Sequence, residues 1–330
     1  MVKRIIAAAA FMLLAGAAWA QEEIPAPAAD TEQVLIVGQR PGPGLWKVSK
    51  GEHVMYIFGD YAPLPIKMDW RSQEVESIIA KSQEYLPKPS FGISVGLWGG
   101  LKMLPYAVGF KNNPDGAKLV DVLPAETYDR WQVLKAKYIG KDSGIERERP
   151  MFVAETLYAQ GLEKNGLTLR TDVYAKLDKL VKQYKVKITS SSAEVELENP
   201  GQAIKAFNNS PGSDTACFAK TVERLETDID AMRVRANAWA VGDMSKIATL
   251  SFADRDEACK NAVFENDAFK SNEKLRQAEQ NMRKAWLENA EHALEANNTT
   301  FAVLSLRHLF GSTGYLADLQ AKGYKVEAPE

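Results

Sequence analysis

Near the C-terminal end of this 330-residue chain, the apolar run Phe301-Ala302-Val303-Leu304-Ser305-Leu306 leads straight into Arg307-His308-Leu309-Phe310-Gly311. A histidine just past a strand can carry a proton near neutral pH or ligate a metal. Open α/β sheets gather such residues at the carboxyl ends of their strands. A second apolar run, Val54 to Phe58, closes on Gly59-Asp60 and offers a carboxylate in the same kind of place. His308 and Asp60 are therefore the catalytic candidates; each also has a plainer reading, as a residue that stabilises its turn. The other two histidines, His53 beside Glu52 and His292 on a charged helix, are read as exposed and lack motif spacing to His308. A hydrolytic metal needs about three protein ligands and one open position. His308 and Asp60 supply two, so no metal ligand is assigned and a divalent cofactor is not expected. Ser190 to Ser192 offers hydroxyls without the G-x-S-x-G elbow of a serine hydrolase. Arg283 carries a guanidinium suited to a carboxylate or phosphate, with an interhelix salt bridge as the alternative. Gly59, Asp60, Arg283, Arg307, His308 and Gly311 form the expected ligand-binding set.

The elements that must position these residues follow from hydrophobic periodicity. Val54–Phe58 and Phe301–Leu306 read as buried strands. Shorter strand candidates lie at Val186–Ile188 and Tyr324–Val326, and Val34–Val37 is a possible edge strand. Ser72 to Ser82 reads as a helix with Ser72 as N-cap and Val75, Ile78 and Ile79 as its apolar stripe. Further helices are predicted at 125–138, 151–164, 172–184, 200–208, 215–240 and 266–296. The glycine-broken stretch 91–110, with a single charge at Lys102, reads as core or as the wall of a hydrophobic pocket. Trp46, Trp70, Trp98, Trp131, Trp239 and Trp286 read as core, with a partner-facing patch at Trp70-Arg71 as the other possibility. The fold class expected is α/β: a small central mixed sheet built from N- and C-terminal strand units, with a large helical layer inserted between them.

Residues 1–20 have the form of a secretory signal. Lys3 and Arg4 precede an apolar stretch, and Ala18-Trp19-Ala20 is a small-x-small cleavage site. The apolar stretch is shorter than the roughly 20 residues a membrane span needs. Residues 21–44 read as a Pro/Ala-rich tether and 45–330 as the folded domain. Cleavage removes Lys3 and Arg4 and moves the formal net charge from −2 to −4. Such a chain lacks the clustered positive surface of a nucleic-acid binder. No other segment is apolar enough to cross a membrane. The expected location is periplasmic or secreted, and there the pair Cys217 and Cys259 is expected to form a disulfide; two separate buried thiols are the alternative.

Four stretches together resemble the TraB/GumN family, relatives of the Tiki-type metalloproteases. They are LWKVSKGEHVMYIFGDYAPLP, ACFAKTVERLETDIDAMRVRANAWAVGD with its Trp-x-x-Gly-Asp ending, NMRKAWLENAEHAL, and TTFAVLSLRHLFGSTGYLADLQAKGYKV. The resemblance covers about Gly44 to Val326. It implies a first-turn histidine where this chain has Ala62. It also implies acidic residues near Pro87-Lys88 and within Ser190–Ser192, while His308 and Arg283 match. A degenerate site is implied: a pseudoenzyme that binds a small ligand or an envelope protein in the family cleft. The alternatives are a hydrolase rearranged around Asp60 and His308, and an envelope assembly or structural factor.

Overall fold

The computed structural model describes residues 42–95, 109–197, 199–208, 214–248, 255–264, 266, 269, 272–309 and 314–329. The expected leader, most of the tether with its possible edge strand, Trp98 and Gly311 lie outside them.

Two apolar strands from opposite ends of the chain form the centre of the sheet. Leu45–Lys50 (β1) turns at Gly51-Glu52 into His53–Asp60 (β2), antiparallel to it. β2 then pairs in parallel with Thr299–Ser305 (β9), in register from Val54 opposite Thr299 to Asp60 opposite Ser305. Glu84–Leu86 (β4) lies parallel on the far side of β9, with Lys187–Ile188 (β7) parallel beyond it. Lys325–Glu327 (β10) closes the other edge against β1, so the order is β10-β1-β2-β9-β4-β7. Met55, Ile57, Phe58 and Phe301 to Leu304 are fully buried. Strands covered on both faces read as continuous apolar runs, which is why these two were visible in the sequence. Two small sheets pair Leu64–Pro65 (β3) with Leu167–Thr168 (β6), and Phe91–Ser94 (β5) with Ala193–Glu196 (β8). Neither pairing was anticipated.

The helices between the strand units are Gln73–Lys81 (α1), Leu119–Val122 (α2), Ala125–Tyr138 (α3) and Pro150–Lys164 (α4). Asp172–Gln183 (α5), Pro200–Asn208 (α6), Asp214–Thr227 (α7) and Ile229–Ala240 (α8) follow. Then come Met244–Ala248 (α9), Arg255–Phe264 (α10) and the long Glu273–Ala296 (α11). Past β9 stand Leu306–Leu309 (α12) and Tyr315–Ala321 (α13). Helices α3, α4 and α7 share a core of Trp131, Val153, Leu157, Phe218, Val222 and Leu225. The expected fold class is the one observed.

Several local expectations are corrected. The single helix predicted over 215–240 breaks at Asp228 (φ −115°, ψ 0°), whose side chain takes ion pairs from Arg224 and Arg235. The helix predicted from 266 starts at 273, where the Asn272 side chain accepts a hydrogen bond from the Leu275 amide at 3.2 Å. Helices α9 and α10 were not foreseen. Ser72 holds the N-cap position of α1 without a side-chain cap bond. His53 is half-buried, its Nδ1 2.9 Å from the Asn297 carbonyl. Trp70 is no surface patch: it is buried in tilted contact with Phe58 and Trp239. Cys217 and Cys259 are joined by a disulfide that fastens α7 to α10.

Candidate functional site

The parallel pairing of β2, β9 and β4 brings their carboxyl ends to one edge of the sheet. Asp60 ends β2, Ser305 ends β9, and Lys88 follows β4. Asp60 is buried, 7% exposed, and its Oδ2 accepts a hydrogen bond from Lys88 Nζ at 2.7 Å. Lys88 Nζ also lies 5.0 Å from the centre of the Tyr174 ring on α5. Burial, and after it the Asp60 charge, pushes the Tyr174 hydroxyl up and keeps it un-ionised. One step back along β2, the Gly59 carbonyl accepts the Trp239 indole N–H at 2.7 Å. A Cβ at Gly59 would stand 2.4 Å from Leu306 Cδ2 and 2.6 Å from the Trp46 ring, so this strand end requires glycine. Trp239 is held by the end of α8. Gly242, at φ +72°, supplies the left-handed residue past the helix, and Asp243 N–H returns to the Ala238 carbonyl at 2.8 Å. The Trp-x-x-Gly-Asp pattern is thus a device that locks the last turn of α8 against the site strand.

A small cleft with a cavity volume of about 40 Å³, open to solvent, lies at this edge. Asp60, Tyr61, Ala62 and Ser305 line it from the sheet, Leu306 and Arg307 from α12, Arg224 from α7 and Asp256 from α10. Its charges are paired with each other or with groups just behind the wall. Arg235 donates to both oxygens of Asp228, at 3.2 and 2.8 Å, and Arg224 Nε lies 3.6 Å from the same carboxylate. Arg255 donates to Thr221 Oγ1 at 3.0 Å and to Asp256 Oδ1 at 3.3 Å, with its guanidinium 4.0 Å from the centre of the Tyr158 ring. Arg307 donates to Asp256 Oδ2. Burial raises the Tyr61 hydroxyl, and the Arg235 and Arg224 charges behind it pull in the opposite direction.

His308 sits one residue beyond the cleft wall, its ring 5.9 Å from that of Tyr315. Its Nδ1 is buried with no hydrogen bond among the described residues. Burial, then the charges of Arg307, Lys88 and Arg283, lowers its pKa below the usual histidine value; Glu279 opposes them. Arg283 is used inside the fold. It donates to Asp318 Oδ2 at 2.9 Å and to the Gly314 carbonyl at 3.2 Å, and stacks 4.6 Å over Tyr315. This is the interhelix pair weighed from the sequence, and it holds α13 against α11.

Of the predicted residues, Asp60 and Arg307 meet in the cleft. Gly59 stands behind its wall as a packing glycine, and His308 and Arg283 lie to one side. Sequence reasoning missed Arg224, Asp256, Ser305, Lys88 and Trp239 as site residues. A signal existed for the neighbouring Arg235, which shares the apolar face of Met232, Ala236 and Trp239, a position where a charge must find a buried partner.

At the strand ends, one Asp60 oxygen is bonded to the Lys88 ammonium, and the charges of Arg307, Lys88 and Arg283 act on the His308 ring with Glu279 opposing them. A separate cluster of Glu155, Cys217 and Cys259 brings ligand atoms together, but both sulfurs are consumed in the disulfide and neither is a thiolate. No described helix is long and apolar enough to cross a membrane. Among curated proteins and among solved structures, nothing matches this chain. The strand ends and the helical layer all fall within residues 44–328, which match the model of the TraB/PrgY/gumN family, and the chain belongs to that family.

Proposed function

We propose that this chain is an exported, catalytically degenerate member of its family, which binds a small ligand in the sheet-edge cleft without hydrolysing it. The observation that carries the reading is the 2.7 Å bond from Lys88 to Asp60. An ammonium has three donors and no lone pair, so it neutralises the Asp60 carboxylate and cannot join it as a ligand. With Ala62 in the first turn and serines at 190–192, the edge offers too few donors for a metal that activates water. Export is supported by the leader-like residues 1–20, and the disulfide suits an oxidising compartment such as a periplasm.

The test is metal analysis of protein purified without chelator, alongside peptide hydrolysis. The expected result is no stoichiometric divalent metal and no turnover. Stoichiometric metal that disappears in His308→Ala would overturn the reading and favour a hydrolase rearranged around Asp60 and His308.

A further inference from the structure

We infer that the cleft receives an oxyanion group of a small molecule, a carboxylate or a phosphate, between the guanidinium groups of Arg224 and Arg307. Arg307 leaves Asp256 to make the contact. The inference rests on the ligand-binding reading above and names the chemistry of the ligand.

The two arginines come from different elements, α7 and α12, yet line one cleft. A guanidinium presents a planar fork of donors that matches carboxylate and phosphate oxygens. Arg224 has only 6% of its side chain exposed, so most of its desolvation cost is already met by the fold. It keeps Asp228 while facing the cleft. Arg307 is 50% exposed and its partner Asp256 39%. An ion pair that open to water contributes little to stability, and exchanging it for a ligand costs little. Asp256 is not orphaned by the exchange, because Arg255 still donates to its other oxygen at 3.3 Å.

The second carboxylate of the cleft would repel an anion if it stood alone. Asp60 does not, since Lys88 neutralises it at 2.7 Å. For the same reason a cation would find both carboxylates already occupied. The lining is mostly polar, and a cavity of about 40 Å³ open to solvent has room for the oxyanion group itself, with the rest of the molecule outside it.

The experiment is titration calorimetry at low salt on chelator-treated full chain, with inorganic phosphate in one arm and acetate in the other. The wild type, Arg307→Gln, Asp256→Asn and the exposed control Arg276→Gln are compared, with folding checked by circular dichroism. One or both probes should bind, and the stronger arm identifies the group. Arg307→Gln should weaken binding by about tenfold or more. Asp256→Asn should tighten it by about two- to fivefold, because the competing partner of Arg307 has lost its charge. Arg276→Gln should change nothing. Absence of binding in both arms at concentrations up to about 10 mM, binding indifferent to Arg307→Gln, or weaker binding in Asp256→Asn would each refute the inference. Because the protein is metal-free throughout, these outcomes are separate from the metal analysis that tests the proposed function.

Discussion

Replacing Trp239 by phenylalanine tests the device that aligns the site strand. The indole is completely buried, edge-on to Phe58 at 5.8 Å and tilted to Trp70 at 6.1 Å, and its N–H is 2.7 Å from the Gly59 carbonyl. Phenylalanine keeps an aromatic ring in the cluster but removes the donor. Losing a buried hydrogen bond costs about 1–3 kcal/mol, and the smaller ring leaves a cavity worth about another 1 kcal/mol. The expected loss is thus about 2–4 kcal/mol, read by urea unfolding with far-UV circular dichroism. In a domain of this size the melting temperature should fall roughly 2–4 °C for each kcal/mol. Trp70→Phe trims the neighbouring ring of the same cluster and serves as the control for size. If Trp239→Phe loses no more stability than Trp70→Phe, the bond to Gly59 contributes nothing and the alignment argument is refuted.

Four other perturbations have expected outcomes. Gly59→Ala places a Cβ against Leu306 and Trp46 and should cost about 1–3 kcal/mol, part of which Leu306→Ala restores; a neutral effect in chemical unfolding would contradict the packing role. Replacing both Cys217 and Cys259 by alanine opens a loop with a sequence separation of 42 and should remove about 4 kcal/mol on chain-entropy grounds, whereas a loss under about 1 kcal/mol in a thermal melt would count against it. Lys88→Met strips Asp60 of its partner and should destabilise by about 1–3 kcal/mol, while adding Asp60→Asn should recover part of the loss. His308 has a folded pKa below its unfolded value of 6.5, so the unfolded state takes the proton first. Stability should therefore fall as pH drops below 6.5 and level off beneath the folded pKa, and a stability–pH profile of His308→Gln should lose that segment.

The parts of the fold legible in the sequence are those whose signal is local. Strands β2 and β9 announce themselves as apolar runs, and α3, α4 and α6 as periodic ones, because burial there is decided by each segment's own pattern. The break at Asp228 has no local cause: no Gly or Pro stands near it, and the chain bends where one carboxylate serves two arginines eleven residues apart, Arg224 and Arg235. The Lys88–Asp60 bond was equally hidden, since it exists only because β4 lies beside β9 and β9 beside β2. Asp60 and Arg307 could be named as strand-end residues. Arg224 and Asp256 could not, as charges on helices ordinarily face water, and only the packing of α7 and α10 turns these two toward the cleft.

The pairing of β2 with β9 also dictates an order of events. Val54 and Thr299 are neighbours in the sheet but lie at nearly opposite ends of the folded chain, with the whole helical layer between them. Closing so long a loop is entropically costly and kinetically late, whereas helices and the β1–β2 hairpin form from near neighbours. Until residues 299–305 arrive, β2 presents an apolar, unpaired edge, the kind that templates aggregation. A chain stopped short of Thr299 lacks β9 and, with it, the Ser305, Leu306 and Arg307 wall of the cleft. The strand that completes the site also covers the apolar edge of β2.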